Sequence, residues 1–127
     1  MKYVAVFIGG GIGSACRLLL STFVMDISKS AFPAGTFAVN LLGCFIIGIF
    51  SGISEKFIIP PNLRIFMFTG LMGGFTTFSS FGLETMKLIQ GQEYYFTALN
   101  VFSSNIIGIS LVFSGSALTR LILSNIK

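Results

Sequence analysis

The stretch from Thr69 to Glu84, TGLMGGFTTFSSFGLE, mixes residue types that an anchoring helix has no use for. Gly70, Gly73 and Gly74 precede Phe75, Phe78 and Phe81, which are spaced by three, and Thr76, Thr77, Ser79 and Ser80 stand among those rings. The run is apolar enough to lie within a bilayer. Polar groups at that depth are costly and mark candidate functional positions. Irregular backbone at that depth survives only where protein buries it or a cavity meets it. We therefore expect a helix broken near Gly73 and Thr76, with freed carbonyls that suit a hard cation such as Na⁺. A plain glycine kink is the competing reading. Phe78 and Phe81, three apart, share a helix face, as core residues also would. With hydroxyls beside them, their electropositive ring edges offer weak sites for a small anion without a fixed charge. Several weak sites in series are what conduction requires.

Three further polar residues fall within apolar runs. Asn40, in GTFAVNLLG, offers amide donors and an acceptor to a neighbouring helix or to a passing ion. Arg17 follows Cys16 and precedes Leu18–Leu20; a cation there draws anions if it faces a water-filled vestibule, and otherwise snorkels to an interface. Glu84 lies one turn beyond Phe81 and suits either an ion pair or a proton path. No enzyme pattern is present: there is no close carboxylate pair, no nucleophile beside a base, and no His at all. Gly9-Gly10-Gly11-Ile12-Gly13 has a dinucleotide-turn look, but it sits inside an apolar run with no preceding strand. Cys16 and Cys44 read as small buried hydrophobes, not as a disulfide framework.

These groups need elements to position them. Only 9% of the 127 residues are charged and the mean hydropathy is +0.92. A water-facing surface needs about 25% charged residues, so the chain reads as an integral membrane protein, a single transmembrane domain over 1–127. The net charge of +4 is spread singly at segment ends, with no basic stripe for nucleic acid. A spanning helix takes about 20 apolar residues, which predicts four: Tyr3 to Met25, Ala34 to Ser54, Leu63 to Ile89, and Tyr94 to Leu123. Pro60, Pro61 and Asn62 form one turn, and Gln90 to Glu93 another. Continuous apolar runs without alternation argue against a membrane barrel. Lys2, Lys56, Arg64, Arg120 and Lys127 fall on the side of the termini, and Lys29 and Lys87 on the other, a weak bias toward cytoplasmic termini. Gly9 with Gly13, Gly48 with Gly52, and Gly70 with Gly74 allow close helix packing. Four helices leave little room for a pathway, so a second copy is expected to help form it.

GGGIGSACR (Gly9 to Arg17), GTFAVNLLG (Gly35 to Gly43), TGLMGGFTTFSSFGLE (Thr69 to Glu84) and LNVFSSNIIG (Leu99 to Gly108) together resemble the bacterial fluoride channels called Fluc or CrcB. The similarity covers nearly the whole chain. It implies an all-α, antiparallel, dual-topology homodimer in the bacterial inner membrane, exporting F⁻ passively and with high selectivity. By the same resemblance, Phe78 and Phe81 are the pore phenylalanines and Asn40 the pore asparagine. Arg17 is the basic residue near the entrance, and Thr77, Ser79 and Ser80 belong to a hydroxyl-rich route. Gly73 and Thr76 would supply backbone carbonyls to a central structural Na⁺ at the dimer interface, and Ser104 or Asn105 the polar contribution of the last span. Ser80 stands where relatives carry Thr, and Gly82 where they often carry Ser.

Such a pore has a physical rationale. HF crosses bilayers neutral and ionises inside, and the inside-negative potential drives the anion out with ~2.3 kcal/mol per charge per 100 mV. The main rival is a small proton-coupled multidrug exporter, in which Glu84 would be the spanning acid. A non-transporting assembly subunit is another.

Overall fold

The computed structural model describes residues 1–125; Lys127, counted above among the basic residues near the termini, lies outside them. Six α-helical segments follow one another: α1 (Lys2–Ser28), α2 (Ala34–Lys56), α3 (Pro61–Arg64), α4 (Gly73–Phe75), α5 (Phe78–Gln90) and α6 (Tyr94–Ser124). A π-helical stretch, Ile65–Met72, joins α3 to α4. Among the described residues there is no strand. α1, α2 and α6 are each long and apolar enough to cross a membrane.

Helix ends follow local chemistry. α1 runs past Asp26 to Ser28, beyond the end expected at Met25, and stops where Lys29 turns left-handed (φ 45°) and its N–H returns to Met25 O at 3.2 Å. Pro61 and Asn62, expected in a turn, instead open α3: Pro61 sits at the first helical position, where its missing N–H costs nothing. Gln92 (φ 60°) turns the chain from α5 into α6.

Backbones approach closely in two seams. In the first, α1 lies along the π-helical stretch and α4. A Cβ on Gly9 would stand 2.7 Å from Phe66 O and 2.9 Å from Leu71 N, both backbone atoms. Gly70 in turn faces Ala5, Val6 and Gly9, and Gly13 faces Leu71 and Phe75. In the second, α2 lies along α6: Gly48 meets Val112, and Gly52 meets Ser116 and Thr119. Contacts rise in step along both members of each seam, so the paired segments run parallel. The short α1–α2 connection makes those two helices antiparallel, and the chain thus passes up and down the bundle four times.

Glycine seams replace a thick side-chain core. Val39, Met72 and Phe75 are buried, with Leu20, Ile46, Ile47, Phe50 and Leu71 packed on them. Most large apolar side chains face outward, among them Phe7, Leu19, Phe78 and Phe113. Without water in the surrounding medium, small residues and close contact hold helices together, and an apolar exterior is the compatible surface.

At the end of the bundle where α2 and α6 finish, Arg120 pairs with Glu55 through two hydrogen bonds of 2.7 Å. Lys56 Nζ donates to Leu123 O beside it. α5 is less firmly held than the other long helices. Its one buried residue is Leu88.

Candidate functional site

The residues between α4 and α5 carry the site. Thr76 (φ −81°, ψ 158°) and Thr77 (φ −150°, ψ 117°) are extended between two helical segments. Of the stretch expected to break near Gly73 and Thr76, Gly73 and Gly74 are helical, while Thr76 and its neighbour Thr77 are extended. The glycines serve contact instead: Gly74 lies against the backbone of Gly10.

Asn40 explains how two extended residues persist at this depth. Its Nδ2 donates to Thr77 O at 3.0 Å, and its Oδ1 accepts from Thr77 N–H at 2.8 Å. One amide side chain thereby satisfies both backbone groups of Thr77, as a neighbouring strand would. Thr77 then caps α5. Its Oγ1 accepts from Ser80 N–H at 3.2 Å and lies 3.1 Å from Ser80 Oγ and 3.3 Å from Ser79 Oγ.

The same bonds deprive two carbonyls of their helical donors. In a continuous helix Thr77 N–H would reach Gly73 O, and Ser80 N–H would reach Thr76 O. Here the first goes to Asn40 and the second to the Thr77 hydroxyl. Gly73 is exposed, with open space where a Cβ would stand. Oxygen atoms without a donor are the ligand type that a hard cation takes. Among the described residues there is no cluster of His, Cys, Asp or Glu fit to hold a metal.

Two cavities meet at Thr77. The smaller, about 280 Å³, is a groove lined by Asn40, Gly43, Cys44, Ile47, Thr76, Thr77, Phe78, Phe81, Ser104 and Asn105. No Lys, Arg, Asp or Glu lines it. The rings of Phe78 and Phe81 lie 5.4 Å apart at 34°. Phe81 is half-buried, whereas Phe78 is 83% exposed, so the groove is open along one side of the chain. The larger cavity, about 1000 Å³, is a vestibule at the end away from the N-terminus; Arg17, Thr77, Ser79, Ser80 and Glu84 line it, with Asp26, Lys87 and Glu93 toward its mouth. Arg17 thus faces the vestibule, but it shares that space with three acidic residues and Lys87, and is not the lone cation its position in the sequence suggested.

Glu84 is tied down. Thr36 Oγ1 donates to Glu84 Oε1 at 2.7 Å, while Glu84 Oε2 is buried without a partner among the described residues. Thr36 carried no signal in sequence, being one threonine near a helix start. Ser104 and Asn105, between which the sequence could not decide, both reach the groove. Asn100 and Thr85 were not singled out in sequence either: Asn100, 1% exposed, donates to Thr85 Oγ1 at 3.0 Å. An asparagine one and a half turns into an apolar helix was the available signal.

Described residues that are helical throughout their regular structure, three membrane-length helices, and a polar groove beside a vestibule define a multi-pass membrane protein. Residues 4–116 match the family described as CrcB-like protein, Camphor Resistance (CrcB), and the chain belongs to that family. It is 46% identical over 127 residues to a fluoride-specific ion channel FluC of Parabacteroides distasonis, covering 100% of this chain and 99% of the relative. A FluC of Maridesulfovibrio salexigens is 40% identical over 124 residues (97% and 98% of the two chains), and one of Azobacteroides pseudotrichonymphae 46% over 120 (94% and 96%).

Proposed function

We propose that this chain is a passive, fluoride-selective channel that lets F⁻ leave the bacterial cytoplasm, working as an antiparallel homodimer in the inner membrane. The carrying observation is the groove in which the Phe78 and Phe81 rings share a wall with Asn40, Thr77, Ser104 and Asn105 and no formal charge. A full positive charge would hold a small anion too tightly to release it; ring edges and polar hydrogens give many weak contacts. Thr77 lines both the groove and the vestibule, and Ser79, Ser80 and Arg17 carry the vestibule lining onward, Arg17 offering an entering anion one cation among Asp26, Glu84, Glu93 and Lys87. The names of the relatives, all fluoride-specific ion channels, support the permeant ion.

In this reading the third apolar stretch, 61–90, crosses the membrane as one interrupted span, and residues 1–127 form one transmembrane domain. A second, inverted copy closes the open side of the groove beside Phe78. The Gly73 and Thr76 carbonyls, without their helical donors, would help hold a structural Na⁺ between the copies. Two carbonyls are fewer oxygens than such an ion takes, which again asks for the partner. The ion would supply fixed positive charge at the centre of the assembly and is not itself transported. The proton-coupled exporter finds less support: Glu84 is hydrogen-bonded to Thr36, and among the described residues no aromatic side chain lines the vestibule that Glu84 faces.

The test is efflux from proteoliposomes holding the purified protein. F⁻ should leave rapidly, at a rate indifferent to a pH gradient, while Cl⁻ stays. Proton-coupled movement of an organic cation without F⁻ efflux would overturn the reading.

A further inference from the structure

α5 carries both groove phenylalanines yet is lightly packed, so something other than burial must set its height against α6. The candidate is a chain of side chains ending at Phe81. Asn100, on α6, is with Val39 one of the two most completely buried large residues in the protein. Its Nδ2 donates to Thr85 Oγ1 on α5 at 3.0 Å. The Thr85 hydroxyl gives its only proton to Phe81 O at 2.7 Å, which leaves its lone pairs to accept from Asn100. At the other end, Ser104 Oγ donates to Asn100 Oδ1 at 3.5 Å. All protons therefore point the same way, from Ser104 through Asn100 and Thr85 to the Phe81 carbonyl. Ser104 and Phe81, the two ends, both line the groove.

Burial makes this chain demanding. An amide enclosed in apolar surroundings is costly unless its groups are paired. Sliding α5 by a single residue would move Thr85 away from Asn100 and strand the amide. The hydrogen bond thus holds the two groove walls in one register. Thr36 to Glu84 ties α5 to α2 lower down, but reaches neither ring.

We propose that Asn100, acting through Thr85, is a positioning residue that fixes the height of Phe81 in the groove and so sets the rate of ion passage. This rests on the channel reading above. Asn100 is not offered as an ion ligand: both ends of its amide already have protein partners.

The experiment compares the whole protein with Asn100→Leu, Thr85→Val, the double variant and Thr85→Ser, reconstituted at no more than one channel per vesicle. Loss of folded protein lowers the fraction of vesicles that release F⁻; misplacement of Phe81 lowers the rate in each releasing vesicle. We expect Asn100→Leu and Thr85→Val each to reduce the rate per releasing vesicle about tenfold. The double variant should be no slower than the worse single one, because both break the same chain. Thr85→Ser keeps the hydroxyl and should run at the wild-type rate. If Asn100→Leu does not fold, Thr85→Val against Thr85→Ser decides alone. Wild-type rates in Asn100→Leu or Thr85→Val, or two effects that multiply in the double variant, would overturn the positioning role while the channel stands. A wild-type protein that passes no F⁻ would instead remove the channel reading, and this inference with it.

Discussion

Asn40 commits both ends of its amide to Thr77, so its part in the groove is architectural before it is anything else. Asn40 lines the groove together with Phe78 and Phe81. The rings provide the remaining favourable surface. Phe81 stands half-buried with the Phe78 ring 5.4 Å away, and in the proposed reading their electropositive edges meet the ion. Phe81→Ile preserves apolar volume near enough for the helix to pack but replaces an electropositive edge by a methyl. We expect a folded protein of unchanged elution volume whose F⁻ efflux is at least tenfold slower; equal rates for variant and wild type, measured in the same liposomes, would show that ring edges are not part of the route.

At the scale of elements, the glycines divide into those that touch backbone and those that do not. A methyl on Gly9 would press on Phe66 O and Leu71 N, atoms that cannot swing aside, whereas Gly11 has nothing within 4 Å. Gly9→Ala should lower stability by about 1–3 kcal/mol through overpacking. Gly11→Ala should be neutral or slightly stabilising, by up to about 1 kcal/mol, since alanine favours a helix interior. Thermal unfolding in detergent checks both, and the same loss at both positions would refute the seam as the cause. This division was only half legible in sequence. Four-residue spacing marks Gly9, Gly13, Gly48, Gly52, Gly70 and Gly74 as contact candidates, but spacing does not say which helix each meets. The apolar runs predict α1, α2 and α6 to within a few residues, because length and hydropathy alone decide them. The third run reads as one unit from Leu63 to Ile89, and the protein divides it. Hydroxyls and glycines announced an irregularity near Gly73 and Thr76; that Thr77 is held there by Asn40, thirty-seven residues away, is something no local pattern encodes. Asn100 and Thr36 were missed for the same reason: a buried polar residue looks like any other until its partner is known.

For the whole molecule, the proposed dimer rests on two features of the single chain. Phe78 is 83% exposed and the groove stands open beside it. Gly73 is exposed, and its carbonyl has no helical donor. A second copy, inverted, would cover the groove and double the number of oxygens around a shared cation. Binding that only the assembled state can offer stabilises that state, by about 2.7 kcal/mol when the ion is a hundredfold above its dissociation constant. Purified protein moved from Na⁺ to N-methylglucamine should therefore lose its dimer faster, read as subunit exchange between two differently labelled pools. Asn40→Leu makes the test specific. Without Asn40, Thr77 N–H is free to return to Gly73 O, and the ion loses a ligand, so exchange in this variant should be fast in either medium. If exchange in the wild type is equally slow with and without Na⁺, the carbonyls at the break hold no cation that matters to assembly, and the two copies are joined by their apolar faces alone.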